Sequence, residues 1–153
     1  MASVARVRRD AVVELAVTLA ERLDRASWLW PLVIRIAAGL LFVSTGWRAV
    51  THLDAVTAYF DELAIPLPRA SAIVAGASEL VCGALLVVGF AARMATLPLV
   101  VCMIVALATA KRPEIHGLTD LLMQVELAYI VMLIAIFIAG PGPVALDARR
   151  SAR

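Results

Sequence analysis

The chain has 153 residues, 63% of them hydrophobic and 17% charged, with a formal net charge of +2. That apolar share is far above what soluble domains carry, and the charges gather at the ends and in short breaks between four apolar runs, 28–50, 70–92, 94–110 and 121–139. Helices apolar on every side offer no polar face to water, which argues against a soluble domain. Each run can instead cross a hydrocarbon layer of about 30 Å, the 94–110 run only with little tilt.

Residues 3–25 read as an amphipathic helix. Val4, Val7, Ala11, Leu15, Leu19 and Leu23 recur at helical spacing, and Arg6/Asp10 and Glu21/Arg25 form i,i+4 pairs on the polar side. Glu14 and Glu21 interrupt the stretch after Arg8-Arg9, which speaks against a signal peptide. Residues 1–27 are therefore expected to be cytoplasmic, either as an interfacial helix on the inner leaflet with its arginines near lipid phosphates or as a partly disordered tail.

The first span opens with Trp28, Trp30 and Pro31, residues suited to the headgroup belt and to a first helical turn. At 100° per residue, Arg35, Gly39, Phe42 and Gly46 share a stripe, and small residues on a stripe mark close helix contact in lipid. After Trp47 comes the connection 51–69. Its stretch 53–63 is a candidate surface helix with Val56, Tyr59, Phe60 and Leu63 on one side, and Ile65-Pro-Leu-Pro68 stops it.

In the second span, Glu79 is the only charged residue between Arg69 and Arg93. A carboxylate in that position costs roughly 2.5–3.5 kcal/mol on insertion scales, while the surrounding Leu, Ile, Val and Phe residues return about 0.3–0.6 kcal/mol each, so the run still inserts. Ala72, Gly76, Glu79 and Gly83 share a face, which points the acid into the tightly packed side of its helix. The turn Gly89-Phe-Ala-Ala-Arg93 makes an antiparallel hairpin with the third span. Cys82 and Cys102 fall at similar depths, with no Cys-x-x-Cys spacing, and read as small packing residues rather than a disulfide framework or a zinc site.

The fourth span carries Glu126, at about 20 Å from the inner end against about 18 Å for Glu79. The two carboxyls are thus expected in one layer. If they face each other, both cannot be charged at once; if Arg35 reaches Glu79 instead, that acid stays ionised. Residues 141–153 form a tail. Leaving Arg35 aside as intramembrane, Arg6, Arg8, Arg9, Arg22, Arg25, Arg93, Arg149, Arg150 and Arg153 fall on one side and only Arg48, Arg69, Lys111 and Arg112 on the other. The positive-inside rule then puts both termini in the cytoplasm. The expected fold is all-α: a four-transmembrane-helix bundle over 28–140, N-in and C-in, preceded by the interfacial helix.

No glycine-rich phosphate loop, nucleophile–base set or metal-ligand cluster is present, and His52 and His116 read as solvated loop residues. The basic residues follow topology rather than a nucleic-acid groove. What carries chemistry is an intramembrane polar cluster of Arg35, Glu79 and Glu126, with Thr45, Gln124 and Tyr129 as candidate ligand contacts and Gly39, Gly46, Gly76 and Gly83 as helix-packing residues.

Between Arg35 and Asp147 the order Arg35-x3-Gly39, Gly46, Ile65-Pro-Leu-Pro68, Glu79-Leu-Val-Cys-Gly83, Gly89, Arg93, Glu126 and Gly140-Pro-Gly-Pro-Val-Ala-Leu-Asp147 resembles the DoxX family of small four-helix bacterial membrane proteins. The family commonly has a lysine three residues after Gly46, where this chain has Ala49, with Arg48 one place earlier. The resemblance implies a bacterial inner-membrane protein linked to redox work, as in archaeal thiosulfate:quinone oxidoreductase and terminal oxidase assemblies or thiol and superoxide defence. On that basis the chain is expected to be a non-enzymatic accessory subunit beside soluble or membrane redox proteins, with quinone as the candidate cofactor. Two other readings stay open: a carrier for a lipophilic or weakly acidic molecule, proton-coupled through the same acids, and a structural or assembly protein whose polar layer sets helix pairing, as a single chain or a homo-oligomer.

Overall fold

The computed structural model describes Glu14, residues 29–140, Gly142 and Ala145. The interfacial helix expected over 3–25 and most of the 141–153 tail lie outside the described residues. Among the described residues every regular element is helical.

Helix α1 (Leu29–Thr51) takes Pro31 in its first turn, where proline's missing N–H costs nothing. Its hydroxyl residues bond back to their own helix: Ser44 donates to the Leu41 carbonyl (2.7 Å), Thr45 to Phe42 (3.1 Å) and Thr51 to Trp47 (2.8 Å). This is how a hydroxyl is satisfied on an apolar helix. Helix α2 (Leu53–Glu62) occupies the connection and stops before Pro66 and Pro68. Leu67, in the left-handed region at φ 51°, turns the chain into α3 (Pro68–Val88), with Pro68 in the first position. Helix α3 ends at Gly89, φ 76°, where the amides of Gly89 and Phe90 both reach the Leu85 carbonyl (2.8 and 3.1 Å). A residue with a Cβ is strained in this terminating geometry, and glycine is not.

Helix α4 (Ala92–Ala108) has Pro98 inside it rather than in the opening turn, so the Met94 carbonyl loses its usual donor one turn back. Beyond a 3-10 turn (Arg112–Glu114) come α5 (Leu118–Met123) and α6 (Val125–Ala139). Here the structure departs from the sequence expectation. The single helix read over 121–139 is broken at Gln124, whose ψ of 127° is extended. The amide of Gln124 still bonds Leu121 and its carbonyl accepts from Leu127 (both 3.2 Å), so one residue ends α5 and starts α6. Hydrophobic patterning cannot register such a break, because both sides of it are apolar.

Helices α1 and α3 run antiparallel in backbone contact. A methyl group on Gly46 would land on the Leu80 amide nitrogen, with the Gly76 carbonyl oxygen at 2.8 Å. On Gly83 it would meet the Val43 nitrogen (2.8 Å) and the Gly39 oxygen (2.9 Å). Helices α3 and α4 form the hairpin, and α4 packs along α6 with Arg93 beside Gly140. Helices α1 and α6 meet through an edge-to-face contact of Phe42 and Tyr129 (6.1 Å between centroids) and through Pro31 against Gly142, so they too are antiparallel. Ala38, Phe42, Leu86, Ala92, Ala95, Leu99, Leu133 and Ile136 form the buried core.

The outward faces are apolar as well. Val33, Val131 and Ile138 are 60%, 60% and 72% exposed. Helices α1 and α3 are long and apolar enough to cross a membrane, and only 28% and 22% of their most apolar stretches are buried, unlike the central helix of a soluble protein. Helices α4 and α6 are apolar but shorter.

Candidate functional site

The contact of α1 with α3 decides where Glu79 sits. Gly46 rests on α3 between Gly76 and Leu80, bracketing the acid, and brings Thr45 alongside it. The Thr45 side chain stands beside the half-buried Glu79 carboxyl, while its hydroxyl donates to the Phe42 carbonyl at 3.1 Å. Away from α1, Glu79 reaches the wall of a cavity of about 570 Å³. Tyr59, Phe60 and Leu63 of α2 line one side of it, Ile65–Leu67 the end, Val74 and Ala75 of α3 another side, and Cys102, Met103 and Ala106 of α4 the last. From Val101 to Ala106 along α4 the cavity extends about 8 Å at 1.5 Å per residue, and Thr109 and Ala110 continue it past the helix end. Its polar groups are few: Tyr59, Ser71, Cys102 and Thr109, with Glu79 the one carboxylate. A cavity of a few hundred Å³, mostly apolar with a small number of polar anchors, is the form small-molecule sites take.

A second hollow of about 500 Å³ opens between α1 and α2, lined by Thr45, Arg48, Ala49, His52, Ala55, Val56 and Tyr59. Tyr59 borders both spaces, and Thr45 and Glu79 stand between them. His52 Nδ1 lies 2.9 Å from the Thr51 hydroxyl and 3.3 Å from the Arg48 carbonyl.

The other residues singled out in the sequence fall in three places. Arg35 is 2% exposed and does not meet Glu79: its guanidinium covers Gly89, ten residues further along α3, with Ala145 beside it. That separation is about 15 Å along the helix axis. Glu126 lies in the first turn of α6 and Tyr129 one turn on. Because Tyr129 meets Phe42 and the helices are antiparallel, Glu126 falls at the level of Thr45, and its Oε2 is buried without a hydrogen-bond partner among the described residues. Gln124 points to a surface group instead, its Nε2 3.5 Å from Glu114, which Lys111 also approaches at 3.4 Å.

Cys82 and Cys102 are free thiols, and Cys102 lies within electrostatic range of both Cys82 and Glu79. No group of three metal-ligating side chains occurs among the described residues. The cavity itself is what sequence reasoning missed. The signal for it was the apolar side of the 53–63 stretch, which covers not the protein surface at large but the space beside Glu79.

Residues 30–112 match the DoxX family model, more than half of the chain. An uncharacterized membrane protein of Mycobacterium tuberculosis is 29% identical over 132 residues, covering 78% of this chain and 80% of the relative. No solved structure matches. Together with the apolar outward faces of its helices, these matches establish that the chain is a membrane protein belonging to the DoxX family.

Proposed function

We propose that the protein crosses the bacterial cytoplasmic membrane four times and holds a small lipophilic molecule of the quinone or quinol class in the cavity beside Glu79, as a non-catalytic subunit of a membrane redox assembly. The observation that carries this reading is the cavity of about 570 Å³ between α2, α3 and α4, apolar but for a few anchors and with a single carboxylate in its lining.

The spans are α1, α3, α4 and the pair α5–α6. At 1.5 Å per residue α4 measures about 26 Å and α6 about 23 Å, to which α5 adds beyond the break at Gln124, against a hydrocarbon core of about 30 Å. The arginine distribution supports cytoplasmic termini. The ring of a quinol fits the cavity's chemistry: a hydroxyl donates to Glu79, and the apolar walls accept the ring and the start of a tail. In the oxidised form the ring carbonyls need a donor, which a protonated Glu79 or the Tyr59 hydroxyl supplies. The bound quinone would bring reversible two-electron chemistry; the chain's own residues bind it, orient it and shield it from water.

The test is binding of a short-chain quinol to the purified protein in lipid nanodiscs. The reading expects saturable, one-to-one binding. Glu79→Leu removes a hydrogen bond to a charged or acidic group, about 1.5–3 kcal/mol, and weakens affinity by roughly ten- to a hundredfold. Ala75→Phe, which fills the cavity, weakens it at least as much. Absence of saturable binding, or variants that bind like the wild type, removes the reading.

A further inference from the structure

We propose that Thr45 is a relay through which Glu79 exchanges its proton with the hollow lined by Arg48 and His52. The protein then carries a proton path separate from the opening that admits a lipophile. This deepens the cavity reading above and rests on the same carboxyl, but on a different set of neighbours.

Three observations meet here. Glu79 borders the apolar cavity, whereas Thr45, one helix away, borders the hollow that holds Arg48 and His52. The backbone contact of Gly46 with Leu80 and Gly76 fixes the backbone of Thr45 beside that of Glu79. Finally, the Thr45 hydroxyl donates to the Phe42 carbonyl at 3.1 Å. A hydroxyl has one hydrogen and two lone pairs. While it donates to Phe42 it can only accept from Glu79, which requires the acid's O–H. Turned about the Cβ–Oγ1 bond, the hydroxyl donates to the ionised carboxylate instead. Both protonation states of Glu79 therefore have a partner in the same hydroxyl, and changing between them requires only a turn of its hydrogen.

Thr45, Arg48 and His52 follow one another at i, i+3 and i+7, on one face of the chain as it leaves α1, over about 10 Å. The residues thus lead from Glu79 towards the end of α1 where His52 is exposed. The Glu79 O–H breaks as its proton passes to Thr45 Oγ1, and the hydrogen originally on Oγ1, turned from the Phe42 carbonyl towards the hollow, passes to a water there, leaving a carboxylate and a hydronium. The reverse sequence reprotonates the acid. The titratable groups around this path are Tyr59 and Cys102 in the cavity, Cys82 on α3, Arg48 and His52 in the hollow and Glu126 at the level of Thr45 on α6. Arg35, at Gly89, lies at the other end of α3.

The experiment is a pH jump on the protein in nanodiscs with no lipophile added, followed by infrared absorption of the protonated carboxyl. The Glu79 band is identified by its loss in Glu79→Gln. The wild type and Thr45→Ser, which keeps the hydroxyl, gain and lose the band at the same rate. Thr45→Val, which keeps the shape and removes the hydroxyl, slows the change by about tenfold or more, equivalent to about 1.4 kcal/mol of barrier. A valine variant that follows wild-type kinetics overturns the relay, and so does a Glu79 band that fails to titrate at any pH. Thermal unfolding of the three proteins separates the relay from a packing role, since the valine variant is expected to melt with the wild type. If quinol fails to bind but the valine variant is slow, only the ligand assignment falls.

Discussion

Gly46→Ala isolates the contact on which the placement of Glu79 depends. The added methyl group would land on the Leu80 amide nitrogen, with the Gly76 oxygen and Leu80 Cα each at 2.8 Å. All three obstacles are backbone atoms, so no rotamer change relieves them, and α1 must move away from α3. Overpacking of this kind costs about 1–3 kcal/mol, and rigid backbone obstacles put it at the upper end. Alanine returns about 1 kcal/mol over glycine as a helix former. The net loss is therefore about 2 kcal/mol, or a fall in Tm of roughly 4–8 °C for a protein of this size. Gly117→Ala is the control: a methyl group there meets nothing within 4 Å, and Gly117 is extended at φ −165°, a conformation open to any residue. Its effect should stay within about 0.5 kcal/mol. The assay is unfolding in mixed detergent micelles followed by circular dichroism, with both variants and the wild type in one lipid and detergent composition. Equal stability of the two variants would refute the close packing of α1 on α3.

Two further substitutions probe the ends of the site. Gly89→Ala forces a Cβ into the left-handed region at φ 76° and against the Arg35 guanidinium at 2.7 Å. The backbone penalty alone is about 1–2 kcal/mol, so a variant as stable as the wild type in the same assay contradicts the left-handed turn at Gly89. Glu126→Met replaces a carboxyl whose Oε2 has no partner among the described residues with an apolar side chain of similar size. An unsatisfied buried polar group costs about 1–3 kcal/mol, so this variant should match or exceed wild-type stability; a loss of that size instead would show that the oxygen is bonded.

Helix faces were readable from spacing alone. The interval of Gly39 and Gly46, and of Gly76 and Gly83, marks one stripe on each helix, and those stripes are where α1 and α3 touch. Periodicity cannot say which side chains meet across a contact. Arg35 shares its stripe with Gly39 and so reads as facing α3, yet the antiparallel register that sets Gly39 on Gly83 and Val87 puts Arg35, one turn earlier, at Gly89. Glu79 lies ten residues back along α3, level with Gly46. The break at Gln124 was illegible for a different reason: it is a backbone event inside an apolar stretch, with no proline or glycine to announce it. The cavity was hidden because it belongs to no single element. Its walls come from α2, α3, α4 and the 65–67 turn, and only the amphipathic side of α2 hinted that the connection folds back over the spans.

The central claim, that the space beside Glu79 receives a lipophile, is tested most directly by photoaffinity labelling with a quinol bearing a photoreactive group on its ring. The account predicts adducts on Tyr59, Val74 and Met103, which line the cavity, and their suppression by excess unlabelled quinol. Labelling confined to outward-facing residues such as Val131 and Ile138, undiminished by the competitor, would contradict it.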